Sequence, residues 1–153
     1  IPRCLVDQIG PWQSDLTLNN DAEYFTRLIL AARKVLFCEG ARTYYRSGLP
    51  NSLTGVRSSS AITSQAKVLD LCETRVLEAE NGERMRRAFA LSWQHFAHGC
   101  YPYAPDIAEE ALRRARRLHP VTIEADGGLT FKFASKFLGW RLARRLQVIS
   151  GRK

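Results

Sequence analysis

Two acidic residues at the start of a predicted helix are the side chains best placed to do chemistry. Asp21 and Glu23 follow the polar pair Asn19-Asn20, which can cap the free N–H groups of the first turn. The apolar residues after them have the spacing of a buried helical face: Tyr24, Phe25, Leu28, Ile29 and Ala32. The positive end of the helix favours an ionised carboxylate by about 0.3–1 kcal/mol, which makes Asp21 a candidate catalytic residue. The alternative is an acidic first turn on an ordinary surface helix.

Histidines and serines form no recognisable catalytic or metal-binding motif. His95 and His98 are three residues apart on a predicted helix and His119 lies outside it, without an HExxH frame or a nearby acidic partner. Satisfied or solvated histidines are therefore expected. Glu124-Ala-Asp126 resembles a two-carboxylate metal turn but follows no strand pattern, which favours a flexible loop. The sequence has no Ser/His/Asp arrangement with local support and no glycine-rich phosphate loop.

The four cysteines also lack metal-ligand spacing, because no two of them form a CxxC pair. Cys72 falls on an apolar helical stripe and Cys38 in a strand-like run, so we expect both to be buried, reduced thiols. Cysteines that stay reduced favour a reducing, cytosolic compartment.

The positive charge is concentrated in the second half of the chain. The 153 residues carry a net charge of +8, with nine Lys/Arg against nine Asp/Glu in residues 1–82 and fourteen against six in residues 83–153. This asymmetry points to an anionic partner such as a membrane surface, nucleic acid or a phosphorylated substrate, although solubility alone also explains it. No run approaches the roughly 18 apolar residues that a bilayer-spanning helix needs. The chain begins with Ile1, which suggests processing or a longer parent.

The secondary-structure pattern changes twice along the chain. Two runs rich in Val and aromatic residues, 35–38 and 41–46, flank Glu39-Gly40 and predict a hairpin or two successive edge strands. A Gly/Ser-rich loop then extends to Ser60, and nearly everything after it has helical periodicity. The last element, from Leu129 to Ile149, mixes aromatic and basic residues, as do interfacial membrane helices; a terminal helix docked on a core is the alternative. The predicted fold is α+β and mostly α.

Three pieces of the first third resemble the end of the catalytic domain of a family 2 glycosyltransferase, the nucleotide-sugar-dependent class with a GT-A fold. They are Ile1-Pro-Arg-Cys-Leu-Val-Asp-Gln-Ile-Gly-Pro-Trp12, Leu18-Asn-Asn-Asp-Ala-Glu-Tyr-Phe25 and Val35-Leu-Phe-Cys-Glu-Gly-Ala-Arg-Thr-Tyr-Tyr-Arg46. In that family the first closes the acceptor side of the site, the second supplies the general base and the third borders the sugar-diphosphate pocket. The helical tail resembles the C-terminal extension of bacterial members. The resemblance implies two parts, residues 1–58 from the catalytic domain and residues 59–153 as a helical extension with a basic terminal helix.

The resemblance assigns roles to single residues. Asp21 matches the base that takes the proton from the acceptor hydroxyl, with Asn20 where the family often has a second acid. Arg46 and Arg57 match cations that could neutralise the diphosphate leaving group, although a surface arginine is an equally good explanation for each. The aromatic residues that could stack on a sugar or nucleotide ring, or be buried in the core, are Trp12, Tyr44 and Tyr45.

The resemblance also implies what this chain lacks. The nucleotide-binding half of the GT-A fold, with its metal-binding DxD turn, would precede Ile1, so the divalent metal (Mg²⁺ or Mn²⁺) of the complete enzyme has its ligands largely outside this chain. We therefore expect a fragment of a transferase of polysaccharide or glycan assembly, inactive alone, cytoplasmic and peripheral at the inner membrane face through residues 129–153. The alternative is a non-enzymatic helical adaptor whose basic half binds nucleic acid or an acidic protein.

Overall fold

The computed structural model describes residues 1–44, 58–120, 122–123 and 127–149, and all regular structure within them is α-helical. The helices are α1 (Arg3–Ile9), α2 (Asn20–Ala31), α3 (Ser59–Ala79), α4 (Glu83–Cys100), α5 (Pro105–Leu118), α6 (Leu129–Leu138) and α7 (Trp140–Ile149). They belong to two compact units, Ile1–Ala79 and Glu80–Lys153. None of the helices in these ranges is long and apolar enough to cross a membrane.

The first unit is built on the contact of α2 with α3. Its buried apolar side chains come from both helices and from the segment that leads into α2: Leu16, Tyr24, Leu28, Ala61, Ile62, Val68 and Cys72. The hydroxyl of Ser64 on α3 accepts hydrogen bonds from the backbone N–H groups of Thr17 (2.9 Å) and Leu18 (3.2 Å). Asn19 occupies the N-cap position with φ 59°, in the left-handed region that asparagine tolerates, but its side chain makes no capping hydrogen bond.

The predicted β element is absent, so the α+β assignment is wrong for the part of residues 35–46 that the structure describes. Residues 35–44 contain no strand. A turn does form at Glu39-Gly40, where the Ala41 N–H donates to the Cys38 carbonyl at 3.2 Å. The flanking residues do not pair, and Phe37 is 92% exposed. High β-propensity reflects packing of side chains on a half-buried sheet surface, and this segment has no such surface to pack against.

The second unit begins with two helices that pack through small residues. Alanines on α4 and α5 are completely or almost completely buried: Ala90, Ala97, Ala108, Ala111 and Ala115. Larger side chains, Trp93 and Phe96, fill the space beside them in an edge-to-face pair with ring centres 5.9 Å apart. Pro105 opens α5, a position where its missing N–H removes no intrahelical bond.

The predicted last helix is two helices, because the chain breaks at Gly139. This glycine has φ 76° and ψ 151°, a combination essentially restricted to glycine. Phe131 on α6 and Ala143 on α7 form a small buried cluster, with Ala134 and Trp140 packed against it. Trp140 also contacts the end of α4, where its ring centre lies 4.5 Å from that of His98. We call α6 and α7 together the basic helix pair.

Candidate functional site

The predicted base, Asp21, lies in the first turn of α2 and is exposed. Its Oδ1 accepts a hydrogen bond from the neighbouring Ala22 N–H at 2.9 Å. Asn20 is the first residue of the helix and is half-buried. The remaining predicted substrate contacts, Tyr45, Arg46 and Arg57, lie outside the described residues. The structure therefore shows a solvent-accessible carboxylate at a helix N-terminus.

An aromatic cluster lies one helical turn further along α2. Trp12 stacks on Tyr24 with ring centres 4.4 Å apart and an interplanar angle of 3°, and Phe25 contacts both rings edge-on. Tyr24 covers one face of the Trp12 ring, yet Trp12 remains 45% exposed. Asp21 and Tyr24 are at positions i and i+3, which are neighbours on a helix surface. An exposed aromatic ring and a carboxylate thus share this end of the first unit.

Glu23, two residues from Asp21, is fully buried in the first unit, where Glu73 of α3 is buried as well. Glu23 is 0% exposed and its carboxylate accepts two hydrogen bonds from Arg27, at 2.9 and 3.1 Å, and one from Gln13 at 3.3 Å. Arg75 of α3 forms an ion pair with it, Nη1 to Oε1 at 2.8 Å. Arg27 in turn donates to the carbonyls of Ile9 and Pro11. These residues join α1, α2 and α3 through one carboxylate.

This buried network was missed because the sequence shows Asp21 and Glu23 as two similar acids. A signal was available, since Glu23 and Arg27 are four residues apart and can pair on one helical face. The buried face of α2 includes Glu23, Tyr24 and Leu28, whereas Phe25 and Ile29 of the predicted face are 44% and 53% exposed. Arg75 could not have been found this way, because it is 52 positions from Glu23 and reaches it only through the packing of α3 on α2.

The predicted thiols differ from one another in the structure. Cys72 is buried, as predicted, and burial raises its pKa. Cys38 is exposed, so its predicted burial is wrong; the strand that would have covered it does not form. No three His, Cys, Asp or Glu side chains are grouped to hold a metal ion in the described ranges.

The basic helix pair carries exposed apolar and cationic side chains together. The exposed apolar residues are Leu129, Phe133, Phe137, Leu138, Leu142, Leu146, Val148 and Ile149. The exposed cations among them are Lys132, Lys136, Arg141 and Arg145, and Arg144 is half-buried. Arg141 pairs with Glu109 of α5 at 2.6 Å, and Arg144 lies over the Phe131 ring at 4.4 Å. The pair is therefore anchored to its unit through α7.

No family model, curated protein or solved structure matches the chain.

On α6 both lysines lie beside three of the exposed apolar residues. At 100° per residue, Leu129, Lys132, Phe133, Lys136 and Phe137 all fall on one side of the helix, and all five are exposed. Neither lysine makes an ion pair in the described part of the chain. A helix with this arrangement can place its rings in an apolar layer while the lysine stems extend to a charged one.

Proposed function

We propose that the basic helix pair adsorbs to an anionic membrane surface, and that the first unit works there as the acceptor side of a nucleotide-sugar glycosyltransferase. The observation that supports the membrane role is the exposure of Phe133 and Phe137, 70% and 71%, next to the exposed Lys132 and Lys136. Large exposed apolar patches mark interaction surfaces. Interleaved lysines favour a surface that is both apolar and negatively charged.

The electrostatic contribution to the free energy of membrane binding can be estimated. Each Lys or Arg near an anionic leaflet contributes about 1 kcal/mol at physiological ionic strength. Removing both lysines of α6 should then weaken binding by about 2 kcal/mol, or roughly 30-fold. Added salt should weaken it as well, because the charges lie in a screened, exposed setting.

Vesicle flotation tests this role directly. The variant Lys132→Gln/Lys136→Gln should lose binding to vesicles that contain phosphatidylglycerol and should bind neutral phosphatidylcholine vesicles as the wild type does. The matched control is Arg33→Gln/Lys34→Gln, which removes the same charge from exposed positions of the first unit. Phe133→Ser/Phe137→Ser should weaken binding to both kinds of vesicle. Salt-insensitive binding to neutral and anionic vesicles alike would refute the electrostatic part, and preference for an RNA oligonucleotide would favour the adaptor alternative.

The transferase role is supported by the exposed carboxylate of Asp21, one helical turn before the Tyr24 ring on which the half-exposed Trp12 stacks. Sugar rings stack on exposed aromatic faces, and an accessible carboxylate can accept the proton of an acceptor hydroxyl as its oxygen attacks the anomeric carbon. The bond to the nucleoside diphosphate breaks in the same step. The resemblance supplies the reaction; the absence of a β element in residues 35–44 removes its third piece as support.

The test of Asp21 belongs in a protein that also contains the nucleotide-binding half. Asp21→Asn there should remove most turnover and leave nucleotide-sugar binding intact. Asp106→Asn is the matched control, because Asp106 is also an exposed acid in the first turn of a helix, α5. Near-normal turnover of Asp21→Asn would exclude Asp21 as the base.

A further inference from the structure

A cavity of about 660 Å³ lies against α6 and the start of α7. Its wall is largely apolar, with Leu129, Phe133 and Trp140, but it also includes Lys132, Ser135 and Lys136. Its volume is within the range of about 300–1,000 Å³ that small-molecule sites occupy. One side of the cavity is fixed by a hydrogen bond from the Ile123 N–H to Oε1 of Gln94 on α4, at 2.9 Å.

The two lysines give the cavity a positive edge. They are four residues apart, so both project from the same side of α6. None of the described residues that line the cavity carries a carboxylate, and neither lysine forms an ion pair with another described residue. The arginines of α7 differ, since Arg141 is held by Glu109. The cavity therefore offers two ammonium groups to an anion.

Ser135 adds an unsatisfied polar atom. Its Oγ is buried and has no hydrogen-bond partner among the described residues. A buried hydroxyl without a partner is unfavourable, and a phosphate oxygen reaching it from the cavity would supply the missing acceptor. A hydroxyl and two ammonium groups on one wall form a set of donors suited to phosphate.

We infer that this cavity binds the phosphate headgroup of an anionic lipid, with the first carbons of its acyl chain against Phe133 and Trp140. The inference deepens the proposed membrane role and assigns a specific lipid contact to that surface. Free phosphate would leave the apolar part of the wall unoccupied. A zwitterionic headgroup would bring a quaternary ammonium close to Lys132 and Lys136, which disfavours it.

Titration with a soluble lipid tests the cavity separately from vesicle adsorption. Dihexanoyl phosphatidic acid, kept below its micelle concentration, should bind the full chain saturably and shift the Trp140 indole N–H resonance. Dihexanoyl phosphatidylcholine and inorganic phosphate should each bind about tenfold or more weakly. Lys132→Gln/Lys136→Gln and Ser135→Ala should each lower the affinity for phosphatidic acid by about tenfold or more, whereas Arg33→Gln/Lys34→Gln should not change it.

Three results would overturn the inference. They are no saturable binding of phosphatidic acid to the wild type, affinity for inorganic phosphate equal to that for the lipid, or unchanged affinity in both cavity variants with native circular dichroism. Saturable binding of the soluble lipid without vesicle adsorption would support the cavity and refute the proposed membrane role. Vesicle adsorption without binding of the soluble lipid would support the proposed membrane role and refute lipid binding in the cavity.

Discussion

Replacing Glu23 by Gln should destabilise the first unit far more than the same change at an exposed acid of α3. Glutamine has nearly the same shape, so the change removes the charge without leaving a cavity. It keeps one acceptor oxygen but turns the other into an NH₂ group, which faces the N–H donors of Arg27. Both guanidinium groups then lose their counter-ion.

The expected size follows from the contacts. Breaking a buried ion pair by removing one partner costs about 3–5 kcal/mol, since the other charge is left uncompensated. The side chains of Arg27 and Arg75 are 14% and 28% exposed, so water relieves part of this loss. We therefore expect the free energy of unfolding to fall by about 2–4 kcal/mol.

Urea unfolding can be restricted to this unit. Trp12 is the tryptophan of the first unit, and Trp93 and Trp140 belong to the second, so a background with both changed to Phe makes Trp12 fluorescence the signal. The matched control is Glu78→Gln, an exposed acid on α3, with an expected change within about 0.5 kcal/mol. If the two variants unfold at the same urea concentration, the network does not hold the unit together.

Three further predictions concern other parts of the chain. Cys4 is exposed whereas Cys72 is buried with a raised pKa, so iodoacetamide should modify Cys4 at least about tenfold faster, by quenched mass spectrometry. Ala97, fully buried on α4, should not accept a larger side chain, and Ala97→Leu should lower the unfolding free energy by about 1–3 kcal/mol in thermal denaturation; unchanged stability would indicate unfilled space. The hydrogen bond from Arg113 lowers the pKa of Glu110 below its ordinary value of 4.5, so the stability it contributes is present at neutral pH and disappears as the pH falls through the lowered pKa. In acid titrations followed by circular dichroism, Glu110→Gln should therefore remove part of the pH dependence below about 4.5 and leave the rest.

Helices with a clear apolar period were predictable. The segments that form α2, α3, α4 and α5 all show apolar residues at helical spacing. Contacts between side chains three or four residues apart on one helix follow directly from that spacing. The break of the last element at Gly139 was visible only as a change in the direction of the apolar face. A positive φ at this glycine, which ends α6, depends on how α6 and α7 pack.

Pairing between distant segments was not predictable. Residues 35–44 have strand-forming side chains, but a strand also needs a neighbouring backbone, and composition does not say whether one is present. The burial of Glu23 was not predictable for a similar reason. Asp21 and Glu23 both occupy the first turn of α2, and the contact of α3 with α2 decides which carboxylate meets Arg75 and which faces water.

The junction at Gly139 affects more than one turn of backbone. A side chain at this position would be strained by about 1–3 kcal/mol in the observed backbone conformation. If the chain relaxed to right-handed helical angles instead, residues 129–149 would form one rod about 31 Å long. In such a rod Phe131 and Ala143, twelve residues apart, would be separated by about 18 Å along the axis. Their contact would be lost, and the wall formed jointly by Phe133 and Trp140 would open. The cluster and the cavity thus both depend on the bend that glycine permits at position 139.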